Sequence, residues 1–278
     1  MPQDFNQQII DEFRANQGQV AMFDGARLLL LTTTGARTGA KHTTPVGYLP
    51  DGERMLIIAS AGGVPKHPAW YHNLLATPRV TVEDGIFTYP ADAVVLEGEE
   101  RDGAFARAVE MDPGWAAYQA KTSRVIPVVA LTPLGGPPDG TRGGDFLVRV
   151  HDAFRRELRL IRKEVAASGT GGLGVQLRVN CLTLCRGLHQ HHTFEDAGMF
   201  PWVEGRHPEL ALVVDRLREE HGTVSRLLDE LQRLLADGEP AAPAAQVLAE
   251  VDRLMTELEA HLDYEERELV PILNAMTP

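Results

Sequence analysis

The sequence predicts a protein of two domains and two classes, an α+β barrel domain followed by an all-α bundle of four helices. Three observations carry this. Strand-like apolar patterning in the first half gives way to a helical period of threes and fours in the second. Between them, Thr132–Asp145 reads TPLGGPPDGTRGGD, and its five glycines and three prolines make a linker the natural reading. Seven of the ten histidines then fall between His151 and His261, on the helical side of that linker.

With 278 residues the chain has room for two ordinary domains, and 44% hydrophobic content is enough to build a core in each. A net charge of −12 argues against nucleic acid or an anionic membrane as the main partner. The longest apolar runs, such as Leu28–Leu31, are too short to span a bilayer. The N-terminus MPQDFNQQIIDEF lacks the basic and apolar regions of a signal peptide, so a cytoplasmic location is expected. Cys181 and Cys185, four apart, do not make a secreted disulfide framework and read as small core residues.

In chain order, Asp4–Ala15 reads as a helix and Arg27–Thr33, Leu-rich and ending in threonines, as a strand. His42–Leu49 and Arg54–Ser60 flank Pro50-Asp51-Gly52-Glu53, a hairpin signal. Arg79–Glu83 and Ile86–Val95 flank Asp84-Gly85 in the same way, and Val125–Leu131 is a further apolar strand. Pro68–Ala76 and Glu99–Met111 are expected helices. Strands in hairpins with a few peripheral helices indicate an α+β fold around a small barrel. After the linker, breaks at Gly169–Gly174, Gly198–Pro208 and Asp237–Pro243 leave four helices, which short connections would arrange as an up-down bundle.

Each of these helices carries a histidine in its apolar stripe. The stripes are Leu147, His151, Phe154, Leu158 and Ile161; Leu184, Leu188, His191 and Glu195; Leu210, Val214, Leu217, His221, Val224, Leu228 and Leu231; and Leu254, Leu258, His261, Glu265 and Leu269. Two helices add a glutamate four residues after the histidine, one turn along the same face. Burying a lone carboxylate costs several kcal/mol by order of magnitude, so two such pairs point to a cation. Imidazole and carboxylate without thiolate suit iron, manganese or zinc, and two carboxylates suit a pair of metals.

This pattern resembles the hemerythrin-like (HHE) family from about Asp145 to Leu273. The residues that carry it are His151, the stretch LHQHHTFEDAGMFP with His191 and Glu195, the pair Glu220-His221, and HLDYEERELVP with His261 and Glu265. The resemblance implies a four-helix bundle around two non-haem iron ions, held by His151, His191, Glu195, His221, His261 and Glu265, with His192 a candidate seventh ligand. Oxygen carriers of the family use a second histidine four residues after the one on the third helix; Ser225 stands there. An open coordination position would favour redox chemistry or sensing, with dioxygen or nitric oxide as the species handled, over a protected oxygen carrier. His189 and His207 read as surface or supporting residues.

In the first half, TTTGARTGAKHTTPVGY (Thr32–Tyr48) places a glycine turn beside Arg37, Lys41 and His42. A second stretch, Ile57–Leu74, puts Ser60-Ala61-Gly62-Gly63 at a strand end ahead of Lys66 and a helix. Glycine turns bring backbone N–H groups close to an anion, and the basic residues add charge. On these residues alone, ordinary hairpin turns explain the pattern equally well.

The same two stretches, with SRVIPVVALTPL, resemble the deazaflavin-dependent nitroreductase family over roughly Asn6–Leu134. The resemblance implies a split β-barrel of the flavin-reductase type that binds reduced coenzyme F-420. Arg37, Thr38, Gly39 and Pro45 would lie along its tail and ring, and Ser60, Ala61, Gly62 and Gly63 along its phosphate side. Trp70 and Asn73 would support it from the helix. Nitro-reducing members carry a basic residue where Ala61 stands, and a run of tyrosines where this chain has Asp112, Trp115 and Tyr118. Tyr118 is thus the candidate for substrate contact or proton donation.

The expected organisation is a barrel over residues 1–134, a Gly/Pro linker over 135–144 and a bundle over 145–278. The expected function is an oxidoreductase passing hydride from reduced F-420 to a quinone-like or nitro acceptor, fused to a di-iron domain. The alternatives are an iron or oxygen sensor or storage protein with a non-catalytic barrel, and a barrel that binds FMN or haem. Barrels of this type often pair, so a homodimer is a candidate assembly.

Overall fold

The computed structural model describes residues 3–134, 143–168, 173–236 and 242–275. The chain divides into two compact units, residues 1–139 with 174–180 and residues 140–173 with 181–278.

The first unit is a closed, antiparallel six-stranded barrel. Its strands are β1 (Leu28–Thr34), β2 (Lys41–Asp51), β3 (Arg54–Ile58), β4 (Arg79–Glu83), β5 (Thr88–Val95) and β6 (Val128–Pro133), in the order β1-β2-β3-β6-β5-β4. β1 pairs with both β2 and β4, which closes the barrel and removes its edges. The period-two alternation sorts each strand between two cores. Leu29, Leu31, Ile57, Val80, Val82, Ala91, Val129 and Leu131 pack in one cluster with Trp70 and Leu74 of α2 (Ala69–Ala76). The intervening residues Leu56, Ile58, Val128 and Ala130 pack instead against Phe105 and Ala108 of α3 (Gly98–Met111), and Leu30 packs against Ile9, Ile10 and Phe13 of α1 (Gln3–Ala15).

Both expected hairpins form. Asp51 pairs with Arg54 across Gly52-Glu53, where Gly52 takes φ +68°. The second turn is closed by Asp84, whose carboxylate accepts from the N–H groups of Ile86 and Phe87, so β5 starts at Thr88 rather than Ile86. β6 likewise starts three residues later than its apolar run, because the Ile126 carbonyl is taken by Arg101 and the Pro127 carbonyl by the N–H of Ala59. A short helix, α4 (Gly114–Ala120), forms where no element was expected; the Asp112 carboxylate accepts from the Gly114 N–H at its start.

The second unit is the bundle: α5 (Gly143–Ala167), α6 (Val175–Phe194) from Cys181 onward, α7 (Phe200–Arg206), α8 (Ala211–Leu235) and α9 (Ala244–Ala275). Residues 135–142 of the expected linker lie outside the described residues. Gly143 and Gly144, read from sequence as linker, open α5 instead. Gly144 serves close packing: a Cβ there would come within 2.7 Å of the Val270 carbonyl on α9. The break expected at Gly198–Pro208 is also corrected. A single π-turn, Glu195–Met199, joins α6 directly to α7, and the chain leaves the helix only after Arg206. Pro201 falls in the first turn of α7, where its missing N–H is tolerated.

The buried stripes follow the expected spacing. Leu147, Leu217, Leu269 and Leu273 gather with Phe200 and Val203 into one apolar cluster. The histidines and glutamates come next along the same stripes, and Leu158, Val224 and Leu258 continue them in the other direction. A polar layer therefore interrupts an otherwise apolar core.

Candidate functional site

All six expected ligands lie in that layer, and His192 lies with them. They fall into two groups: His151, His191, Glu195 and Glu265, and His192, His221 and His261. The helical stripe accounts for the placement of six. His192 comes from the residue beside the stripe on α6; it is 5% exposed, more buried than its neighbour His191, and its ring stacks on His221 at 4.1 Å.

The distances have a common meaning. His151 Nε2 lies 3.2 Å from His191 Nε2 and 3.5 Å from Glu265 Oε2. Two donors bound to one metal at about 2.1 Å each sit roughly 3.0–3.4 Å apart. Glu195 turns Oε1 to His191 (3.2 Å) and Oε2 to His221 (3.5 Å), one imidazole from each group. Glu265 Oε2 similarly faces His151 and, at 3.8 Å, His261. Each carboxylate thus spans two positions.

Seven buried atoms here have no hydrogen-bond partner: both carboxylate oxygens of Glu195 and Glu265, and the Nε2 atoms of His192, His221 and His261. Orphaned polar atoms are rare in native cores, and seven of them spread over these two adjoining groups fit bound cations. Burial acts in the same direction. It pushes His191 and His192 down to about 2 and His221 to about 3, with neighbouring imidazoles adding to the effect. Their lone pairs are therefore free to coordinate. Burial also raises both carboxyls, Glu265 to about 8. A cation is what allows both to ionise together.

A further ring of carboxylates orients the imidazoles. His151 Nδ1 is 2.8 Å from Glu266, His221 Nδ1 is 3.0 Å from Asp196, and His261 Nδ1 is 3.1 Å from Glu220. Each would accept the Nδ1 proton and so aim Nε2 at the centre. Arg155 holds Glu266 at 2.7 Å and Arg216 holds Glu220 at 2.8 Å. Sequence reasoning passed over these three acids as supports. Their signal was adjacency, since each is next in sequence to an expected ligand.

His189 is exposed, and His207 pairs with Glu209 at 3.1 Å, away from the cluster. Cys181 and Cys185 are both buried without a disulfide, and burial pushes the Cys185 thiol up to about 12.

In the barrel, the β1–β2 turn adjoins Lys41, while the end of β3 lies beside Tyr48 at the middle of β2, where Gly47 pairs with Leu28 at the start of β1. The turn Ala36–Ala40 is exposed, with Arg37 and Thr38 at its tip and Gly39 at φ +69°. Asn73 of α2 ties it down, accepting from the Ala36 N–H (3.1 Å) and donating to the Thr33 hydroxyl (3.0 Å). Trp70 and Asn73 line a cavity of about 610 Å³ with Lys41, His42, Thr44 and Arg14, and Pro45 follows Thr44 on β2.

The second expected turn is built differently. Ala61, Gly62 and Gly63 all take positive φ, at 48°, 68° and 82°. The Ser60 hydroxyl accepts from the Gly62 N–H at 3.4 Å. A Cβ on Gly63 would come within 2.6 Å of the Tyr118 carbonyl, so α4 packs directly on this turn. Tyr118 is half-buried, edge-on to Trp115 at 5.9 Å and below Lys121 at 5.3 Å. The structure therefore brings Tyr118 to the Ser60–Gly63 turn and Trp70 and Asn73 to the Arg37–Gly39 turn. Neither Tyr118 nor the Ser60–Gly63 turn lines the 610 Å³ cavity.

Comparison with known proteins bears on both halves. Residues 6–133 match the family model described as F420H(2)-dependent quinone reductase. Over 107 residues the chain is 41% identical to an F420H(2)-dependent quinone reductase of Mycobacterium tuberculosis (strain ATCC 25618 / H37Rv), covering 37% of this chain and 72% of that protein. The chain belongs to the F420H(2)-dependent quinone reductase family. An equal match is found in the protein of that name from the CDC 1551 / Oshkosh strain. A solved F420-H2 dependent reductase (FDR-A) is 44% identical, covers 38% of this chain and 93% of that one, and superposes with a TM-score of 0.36. The helical half of this reductase-family chain, residues 142–273, matches the family described as hemerythrin HHE cation binding domain. No helix among the described residues is long and apolar enough to cross a membrane.

Proposed function

We propose that the chain is an oxidoreductase that uses reduced coenzyme F-420, with a di-iron centre in its helical domain. The domains are a barrel over 1–134 and a bundle whose first helix opens at Gly143. The observation that carries the barrel reading is its 41% identity to a quinone reductase of which the chain spans 72%. The exposed Ala36–Ala40 turn, and the cavity lined by Lys41, His42, Trp70 and Asn73, support a flat, anionic cofactor. Bound there, the reduced deazaflavin supplies a hydride to an electron-poor acceptor.

The chain's own residues bind and orient. Arg37, Thr38 and Gly39 present a basic turn to the anionic tail, and Asn73 holds that turn to α2. Ser60, Ala61, Gly62 and Gly63 would lie along the phosphate side: the N–H groups of Ser60, Gly62 and Gly63 are bonded to Ile58 and Ser60 and hold the turn, and Ala61 would present its N–H to the phosphate. Trp70 and Pro45 give apolar surface beside the ring. Tyr118, on the helix packed against Gly63, would contact the acceptor and hold a proton at its phenol oxygen. Trp115 makes that side more apolar than a run of tyrosines would, which favours a quinone over a nitro compound.

In the bundle, His151, His191, Glu195 and Glu265 would hold one iron, and His221, His261 and His192 the other, with the carboxylates shared. Iron there supplies one-electron chemistry toward dioxygen or nitric oxide.

The test is anaerobic titration of F-420, FMN and haem into the full chain, then oxidation of reduced F-420 with menadione. Tight F-420 binding with turnover, and two irons per chain by metal analysis, is the expected result. A folded, iron-loaded chain that binds no F-420 would overturn the enzyme reading.

A further inference from the structure

The Ser60–Gly63 turn is gripped from one side by a single residue outside the set considered so far. Arg124 donates from Nε to the Val64 carbonyl (3.0 Å), from Nη1 to the Ala59 carbonyl (3.1 Å) and from Nη2 to the Ser60 carbonyl (2.6 Å). Nη1 also lies 3.1 Å from His67 Nδ1. A guanidinium only donates, so His67 accepts there and is neutral, with its proton on Nε2. Burial, then the Arg124 charge, holds His67 below its usual range.

Two features of this clamp go beyond packing. The first is charge. Among the described residues the partners of Arg124 are the three carbonyls and His67, with no Asp or Glu, and burial lowers its pKa. The other buried or half-buried arginines that bind loops or helices, such as Arg54, Arg107 and Arg155, each sit on a carboxylate. The three carbonyls satisfy the guanidinium's donors but do not neutralise it, so a net positive charge remains at the turn and favours an anion there.

The second is direction. In a trans peptide the C=O of one residue and the N–H of the next point opposite ways. Drawing the Ser60 carbonyl onto Arg124 turns the Ala61 N–H to the far side. A cation at the carbonyl end also polarises that peptide and strengthens its N–H as a donor. Ala61 meanwhile holds φ +48°, a conformation that costs an L-residue about 1–2 kcal/mol and needs outside support. The same clamp supplies it.

We propose that Arg124 is the positioning residue of the anion turn: it fixes the Ala61-Gly62-Gly63 run and sets an unpaired positive charge behind it, for the phosphate of the deazaflavin tail. This rests on the barrel reading above and adds a residue and a role to it.

The test compares two ligands on the full chain. Dissociation constants are measured for F-420 and for its riboside precursor, which has the same ring without the phosphate and glutamates. Replacing a charge-assisted set of hydrogen bonds is expected to weaken F-420 binding about thirtyfold in Arg124→Met. The riboside should change less than about threefold, since it lacks the anion. Arg124→Lys, which keeps the charge but not the fork, should fall between, and it carries the test alone if Arg124→Met does not fold. Equal losses for both ligands would mean that Arg124 only maintains the fold, and would overturn the proposal, as would unchanged F-420 affinity. A wild-type chain that binds the riboside but not F-420 would overturn it too. A wild-type chain that binds neither removes the barrel reading itself and this proposal with it.

Discussion

The two halves of this chain build their sites from different materials. In the bundle, the site is made of side chains: five imidazoles and two carboxylates in a buried layer, with three more acids fixing the rings from behind. In the barrel, the proposed site is made largely of backbone: two glycine turns, held in place by Asn73 and Arg124. The first must be dry and rigid, because a metal selects lone pairs at fixed distances. The second is exposed at the Arg37 turn, as a bulky anionic cofactor requires. The comparison teaches that damage should look different in each. In the bundle it follows loss of a donor atom; in the barrel it follows loss of a backbone conformation.

The largest effect expected is from Glu265→Ala, which removes a carboxylate shared by both metal positions. Iron content should fall from two per chain to one or none, with F-420 affinity unchanged. A variant that loses both would break the comparison, because the sites would then not be separable.

Gly63→Ala comes next. It adds a Cβ 2.6 Å from the Tyr118 carbonyl at φ +82°. The strain should cost about 1–3 kcal/mol and weaken F-420 binding at least tenfold, with iron retained. Normal cofactor affinity would show that the turn does not contact it.

Glu266→Gln sharpens the bundle side. It preserves shape but removes the charge accepting from His151, and iron affinity should drop about tenfold by competition with a chelator. Tyr118→Phe should lower kcat with menadione by about tenfold or less while leaving the F-420 dissociation constant alone. Unchanged turnover would take Tyr118 out of the mechanism.

The smallest effect concerns Cys185. Its thiol stays protonated to about 12 in the folded chain, against a usual value of 9.0. The stabilisation from keeping it neutral is complete below pH 9 and is lost as pH rises toward 12. Native protein at pH 8 should therefore not react at Cys185 with a thiol reagent, while unfolded protein should. Rapid labelling of the folded chain would show that this part of α6 opens.

Legibility followed the same division. His151, His221, His261 and Glu265 were readable because a helix of known period projects side chains at known angles, and an acid in an apolar stripe needs a partner. His192 was harder, since it stands one residue off the stripe and its burial depends on the packing of α8 and α9 against α6. The π-turn at Glu195–Met199 left no sequence mark that distinguished it from a helix end at Gly198. Gly144 looked like a chain breaker and proved to be a close-packing position. In the barrel, strand alternation and the two hairpins were readable from Gly52 and Gly85. The α4 helix was not, and neither was Arg124, one arginine among many until its neighbours were in place.

By itself, the sequence determined the two fold classes, the hairpins, the helical stripes and the identity of most residues that could hold a cation, because these depend on local period and residue chemistry. Tertiary structure alone decided that His192 joins His221 and His261, that Asp196, Glu220 and Glu266 face the imidazoles, and that Arg124 reaches 65 residues back to grip the turn. These are contacts between residues distant in the chain, and only the folded packing of strands and helices sets them.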